Sequence, residues 1–156
     1  MTQAPQAGDK APDFKMATDG NATLSLADIK GKTLVLYFYP KDDTPGCTNE
    51  ARDFSALAPA FKKAGAVIVG VSKDSVAKHD KFKAKHDLAV TLASDPDGEV
   101  IEKYGVWVQK KLYGREYMGI ERATFLIDGK GVVRQVWHQV KVKGHAEEVL
   151  AAAQAL

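Results

Sequence analysis

From Thr33 to Tyr39 the chain reads TLVLYFY, an unbroken run of apolar, β-branched and aromatic residues that stops at Pro40. A run of that length without alternation is the pattern of a strand covered on both faces. Beyond Cys47 the spacing changes. Cys47, Glu50, Ala51, Phe54, Leu57, Ala58 and Phe61 recur at helical intervals and place one stripe on a helix running to about Gly65. Pro59 lies inside that helix and predicts a bend, because proline lacks an amide hydrogen and crowds the preceding turn.

The alternation then repeats. Residues 66–72, AVIVGVS, read as a second buried strand, 75–86 as a second helix, and 92–94 as a short strand closed by the turn Asp95-Pro96-Asp97-Gly98. A third helix is expected over 99–104. Residues 123–127 and 132–138 read as a hairpin through Asp128-Gly129-Lys130-Gly131, whose glycines supply positive φ. A last helix covers 144–156. The order βαβ followed by ββα is that of an α/β, thioredoxin-like fold with extra strands before it. No repeat or linker divides the sequence, so residues 1–156 read as one domain, with residues 1–10 polar and expected to be mobile.

Composition narrows the function classes. With 156 residues, 45% hydrophobic and 27% charged, the chain can bury a core without disulfides. A formal charge of +2 with scattered lysines shows no footprint for nucleic acid or anionic lipid. The longest apolar runs are too short to span a bilayer, and the start MTQAPQAGDKAPDF shows no signal segment, so a cytoplasmic protein is expected. His79 and His86 are seven apart and lack further ligands, so they read as packing or surface residues and no metal is expected. The acids of 95–98 read as a turn, and Trp107 and Trp137 as core or rim aromatics.

The chain has a single cysteine, Cys47, within YPKDDTPGCTNE. One cysteine cannot form an internal disulfide, which fits a reducing compartment. A lone cysteine is often a small buried hydrophobe. Here, however, polar and turn-forming residues precede it and a helix follows. A helix N-terminus offers unpartnered amides and a partial positive charge, which favour a thiolate. The residue three positions on is Glu50, so a C-x-x-C dithiol is excluded, and no histidine stands in a recognisable acyl-transfer motif.

The stretch FYPKDDTPGCTNEA resembles the active-site loop of the peroxiredoxins, in particular their Q-type or bacterioferritin-comigratory group, and GVSKDS, YGVW and RATFLID extend the resemblance over nearly the whole chain. It implies a cofactor-free, thiol-dependent peroxidase reducing hydrogen peroxide and organic hydroperoxides. It also assigns roles. Cys47 corresponds to the peroxidatic cysteine, Thr44 to the hydroxyl contacting thiolate and peroxide, Pro40 to the ring shielding the thiolate, Arg122 to the guanidinium completing the site, and Glu50 to the carboxylate orienting it.

Raising the thiolate fraction by lowering a cysteine pKa from about 8.5 to about 6 gains only ~30-fold at pH 7. Donors that follow charge onto the departing oxygen must therefore supply the rest. Relatives in the group carry a second, resolving cysteine, and here Arg52 and Lys83 stand at the two places where the resemblance puts it. The resemblance thus implies an external thiol, from thioredoxin, glutaredoxin or glutathione, and a monomer or weak dimer. The competing expectation is a non-enzymatic redox sensor or holdase that forms mixed disulfides through Cys47.

Overall fold

The computed structural model describes residues 3–156. Met1 and Thr2, part of the segment expected to be mobile, lie outside the described residues. From Gly8 onward the N-terminal segment is bonded to the body: Gly8 N donates to Val133 O at 2.8 Å, Ala11 N donates to Gly131 O at 2.8 Å, and Lys10 bridges Val132.

Two short strands, β1 (Lys15–Thr18) and β2 (Ala22–Ser25), form the added N-terminal hairpin. β3 (Thr33–Phe38) follows, then α1 (Pro45–Ala56), α2 (Ala58–Lys63), β4 (Ala66–Ser72), α3 (Val76–His86), β5 (Thr91–Ser94) and α4 (Glu99–Lys103). The chain continues through β6 (Trp107–Leu112), β7 (Arg115–Ile120), β8 (Ala123–Ile127), β9 (Val133–Trp137) and α5 (His145–Gln154). Seven strands make one sheet in the order β2-β1-β5-β4-β3-β8-β9, with β4 parallel to both β3 and β5 and β8 antiparallel to β3. No described helix is long and apolar enough to cross a membrane.

The continuous apolar run of β3 has the cause its sequence suggested. Leu34, Leu36 and Phe38 enter one core with Phe14, Ile101, Tyr104 and Phe125. Val35 and Tyr37 face the opposite way, into a second core with Cys47, Phe54, Phe61, Phe82 and Val149 from the helices. Cys47 is therefore built into the packing of the second layer. Gly70 is required there, since a Cβ on it would fall 2.6 Å from Tyr37 Cζ, so the tyrosine ring lies directly over β4.

Two expectations need correction. The single bent helix of 47–65 is two helices. α1 starts earlier, at Pro45, and the path breaks at Leu57 (φ −97°, ψ 2°), two residues before Pro59. The proline has no hydrogen for the Ser55 carbonyl and its ring crowds that group, so the helix ends and restarts with Pro59 in its first turn. Second, the sequence reading assigns no element to 107–120, where β6 and β7 form a separate two-stranded sheet. Their turn, Tyr113-Gly114, has positive φ at both residues (50° and 77°), the geometry usually marked by Asn-Gly. A tyrosine in its first position hides that signal.

Candidate active site

β3 makes its last ladder bond from Tyr39 N to Val71 O at 3.1 Å, and Pro40, which has no amide hydrogen, cannot extend it. The chain leaves the sheet through residues 40–44, with Asp43 at φ 60°. Thr44, in extended conformation (φ −95°, ψ 155°), is the N-cap of α1. Its carbonyl accepts from Thr48 N at 2.8 Å, and Pro45 occupies the first turn, where a missing hydrogen costs nothing. The amides of Gly46 and Cys47 have no acceptor among the described residues. Cys47 itself is 2% exposed.

Arg122 reaches this turn from the junction of β7 and β8. Its Nη1 donates to Glu50 Oε1 at 2.7 Å and its Nη2 donates to Cys47 Sγ at 3.3 Å. Glu50 lies one helical turn beyond Cys47, so the carboxylate and the sulfur share a face and meet the two prongs of one guanidinium. Gly46 leaves room for it, since a Cβ there would sit 3.2 Å from Arg122 Nη2. Burial pushes the Glu50 carboxyl up to about 7, against the opposing pull of Arg122. Burial alone would lower the guanidinium's hold on its proton, but the negative charges of Glu50 and Cys47 outweigh it and the shift is upward.

The structure thus gathers Cys47, Glu50 and Arg122 through direct bonds. Thr44 stands three residues before the sulfur, but its hydroxyl donates to Lys41 O at 2.8 Å and makes no capping bond. Donation to the sulfur or to a bound oxygen requires that hydroxyl to rotate. Pro40 is half-buried at the end of β3. Of the positions aligned with a resolving cysteine, Arg52 is exposed on α1, and Lys83 on α3 pairs with Asp19 Oδ2 at 2.8 Å.

Sequence reasoning did not anticipate the polar groups behind the loop. Asp42 is buried: its Oδ1 accepts from Tyr39 OH at 2.5 Å and its Oδ2 lies 2.6 Å from His79 Nδ1. His79 is fully buried, whereas His86 is partly exposed and bonds Asp43 at 2.9 Å. The doubled acid of Lys41-Asp42-Asp43 and the helix face shared by His79 and Phe82 were the available signals. Tyr37 OH and Glu50 Oε2 are also buried and have no protein partner among the described residues.

The chain matches the AhpC/TSA family over residues 7–136. It is 54% identical over 93% of its length, and 96% of the relative's, to a putative peroxiredoxin bcp of Coxiella burnetii. It is 52% identical to peroxiredoxin Bcp of Bacillus subtilis, covering 92% of this chain and 91% of that one. Its fold superposes with a TM-score of 0.87 on the bacterioferritin comigratory protein of Xanthomonas campestris, a structure described for its alkyl peroxide reduction activity, at 48% identity over 91% of this chain and 90% of that one. A thiol held at a helix N-terminus by an arginine, in a thioredoxin-like body that matches these proteins almost end to end, places the chain in the AhpC/TSA family, among the Bcp peroxiredoxins, which are thiol-dependent peroxidases.

Proposed function

We propose that Cys47 attacks the terminal oxygen of hydrogen peroxide or an organic hydroperoxide, and that an external thiol completes each turnover. The observation that carries this reading is the Arg122 fork. One prong is fixed on a buried carboxylate and the other donates to the sulfur, so a positive, directional donor stands where charge shifts during attack. The thiolate forms an S–O bond as the O–O bond breaks. The departing oxygen takes a proton and leaves as water or an alcohol, and the product on the enzyme is a sulfenic acid.

The free amides of Gly46 and Cys47, the Thr44 hydroxyl after rotation, and Arg122 are the donors available to the departing oxygen. Pro40 helps keep water from the sulfur. The sequence holds no second cysteine, so an incoming thiol condenses with the sulfenic acid to give a mixed disulfide and water. A further thiol then releases Cys47. The reductant is thioredoxin, glutaredoxin or glutathione, and the enzyme works as a cytoplasmic monomer or weak dimer.

The test is steady-state peroxide consumption with each of the three reductants. Many equivalents consumed per chain, at a rate that rises with thiol concentration under saturating peroxide, are expected. Consumption that halts after one equivalent with every reductant would mark a sensor instead.

Glu50 adds a pH dependence whose sign follows from its burial. Because its carboxyl titrates near 7, it is an anion above that pH and a strong acceptor for Arg122, and a neutral, weaker one below. The peroxide reaction of Cys47 should therefore fall as pH drops through about 7, beyond any effect of thiol ionisation. In Glu50→Gln this limb should vanish and the rate should stay near the level of the native protein at low pH. A Glu50→Gln profile superimposable on the native one would show that the carboxylate does not anchor the arginine.

A further inference from the structure

Behind the active-site loop lies a bonded chain of side chains that the cysteine-arginine-glutamate cluster does not use. His79 Nε2 lies 2.9 Å from Ala93 O. A carbonyl only accepts, so that nitrogen carries a hydrogen. The opposite nitrogen, Nδ1, lies 2.6 Å from Asp42 Oδ2, and that bond holds one proton shared between imidazole and carboxylate. The ring is thus pinned at both ends, between the loop and β5. Asp42 is held again through its amide, which donates to Asp74 Oδ2 at 2.8 Å, and through Tyr39 OH. Asp74 in turn takes Ser72 Oγ at 2.7 Å on the same oxygen, and its carbonyl takes Ser94 Oγ at 2.5 Å.

The titratable side chains around the His79–Asp42 pair are Tyr39, Asp74 and Tyr37, and Ala93 O accepts from the far ring nitrogen. Burial works against the protonated imidazole, but the hydrogen bond and charge of Asp42 outweigh it and raise the His79 pKa. Filling this space with apolar residues of similar size would avoid the cost of desolvating an acid and an imidazole. Directional bonds do something packing does not, which is to fix where the loop backbone lies. The adjoining Lys41 carbonyl receives the Thr44 hydroxyl at 2.8 Å, and Thr44 occupies the N-cap position of the helix that carries Cys47, its carbonyl accepting from Thr48 N.

We propose that His79 and Asp42 are positioning residues for Cys47: their shared-proton bond fixes the 40–44 loop and so aims Thr44 and the amides of Gly46 and Cys47 at the peroxide oxygens. The proposal rests on the reading of Cys47 as the sulfur that attacks peroxide. Neither residue touches the reacting atoms, and both act through the loop.

The experiment compares two reactions of the same sulfur, rapid-mixing oxidation by hydrogen peroxide and alkylation by iodoacetamide, in the native protein, His79→Ala and Asp42→Asn. Alkylation needs a thiolate but no donors aligned on a departing oxygen. In His79→Ala the peroxide rate constant should fall on the order of 100-fold, the scale expected for a displacement of about 1 Å, while alkylation keeps its native rate. Asp42→Asn keeps an acceptor for Tyr39 and can donate to Nδ1 of a neutral His79 but loses the charge and the shared proton. Its peroxide rate constant should therefore fall, though by less than that of His79→Ala, again with alkylation unchanged. Equal peroxide rates in His79→Ala and the native protein would overturn the proposal. So would a parallel fall of both reactions, which marks a lost thiolate or a loosened fold. If the alanine variant does not fold, His79→Gln, able to keep only one of the two bonds, is held to the same split. A native protein whose Cys47 alkylates but does not react with peroxide would refute the reading of the sulfur itself, an outcome distinct from any of these.

Discussion

Cys47→Ser consumes no hydroperoxide above the uncatalysed background, with any reductant and at any thiol concentration. Of all the substitutions this should have the largest effect, because the sequence contains no other thiol to take over. A serine hydroxyl is not ionised at neutral pH and cannot form the sulfenic acid on which turnover depends. The substitution is also mild for the fold. The side chain is buried at the start of α1, and an oxygen there can still accept from Arg122, so thermal stability should stay near native. Treating the native protein with one equivalent of peroxide in the absence of thiol should add one oxygen to its intact mass, trappable with a sulfenic-acid reagent. The serine variant should show neither. Turnover retained by Cys47→Ser would place the chemistry elsewhere in the chain and end the peroxidase reading of this sulfur.

How much of this site could be read from the sequence depended on distance along the chain. The stretch from Tyr39 to Glu50 is contiguous, and its turn-forming residues, cysteine and helical stripe announce a thiol delivered to a helix N-terminus. Arg122 lies far downstream, and no periodicity or spacing connects it to Cys47. Only the resemblance carried by RATFLID placed it, and only the structure shows its two prongs divided between Glu50 and the sulfur. His79 illustrates the opposite difficulty. Its helical position was clear and its burial was an open possibility, but its partner Asp42 sits on a loop whose path no local pattern determines.

The fold followed the same division. β3, β4 and β8 were legible because both their faces are covered, which leaves uninterrupted apolar runs. β6 and β7 were not, since most of their residues are exposed and their charges break the alternation, and Tyr113-Gly114 conceals the turn.

Arg122→Lys should slow the peroxide reaction by about 100- to 1000-fold, far more than thiolate loss can explain. The native guanidinium bonds Glu50 Oε1 and Cys47 Sγ at once, at 2.7 and 3.3 Å, through two nitrogens in one rigid plane. A lysine ammonium is a single point on a flexible stem. Glu50 is 1% exposed, and leaving its charge unpaired would be costly, so the ammonium should settle on the carboxylate and abandon the sulfur. The local positive charge is then kept while the directed donor is lost, which separates the two contributions an arginine could make. Loss of thiolate can account for at most about 30-fold, whereas removing one preorganised donor from a developing oxyanion typically costs about 100- to 1000-fold, or roughly 2.7–4 kcal/mol. Lysine also serves better here than alanine. Removing one member of a buried pair outright can cost about 3–5 kcal/mol of stability and would confuse lost chemistry with a damaged fold. Rapid-mixing oxidation of Cys47, set beside its alkylation rate at the same pH, reads the two terms separately. Alkylation should drop by far less than the peroxide reaction. A peroxide loss that simply tracks the alkylation loss would mean that Arg122 acts only on ionisation and that the donors of the α1 turn carry the transition state alone.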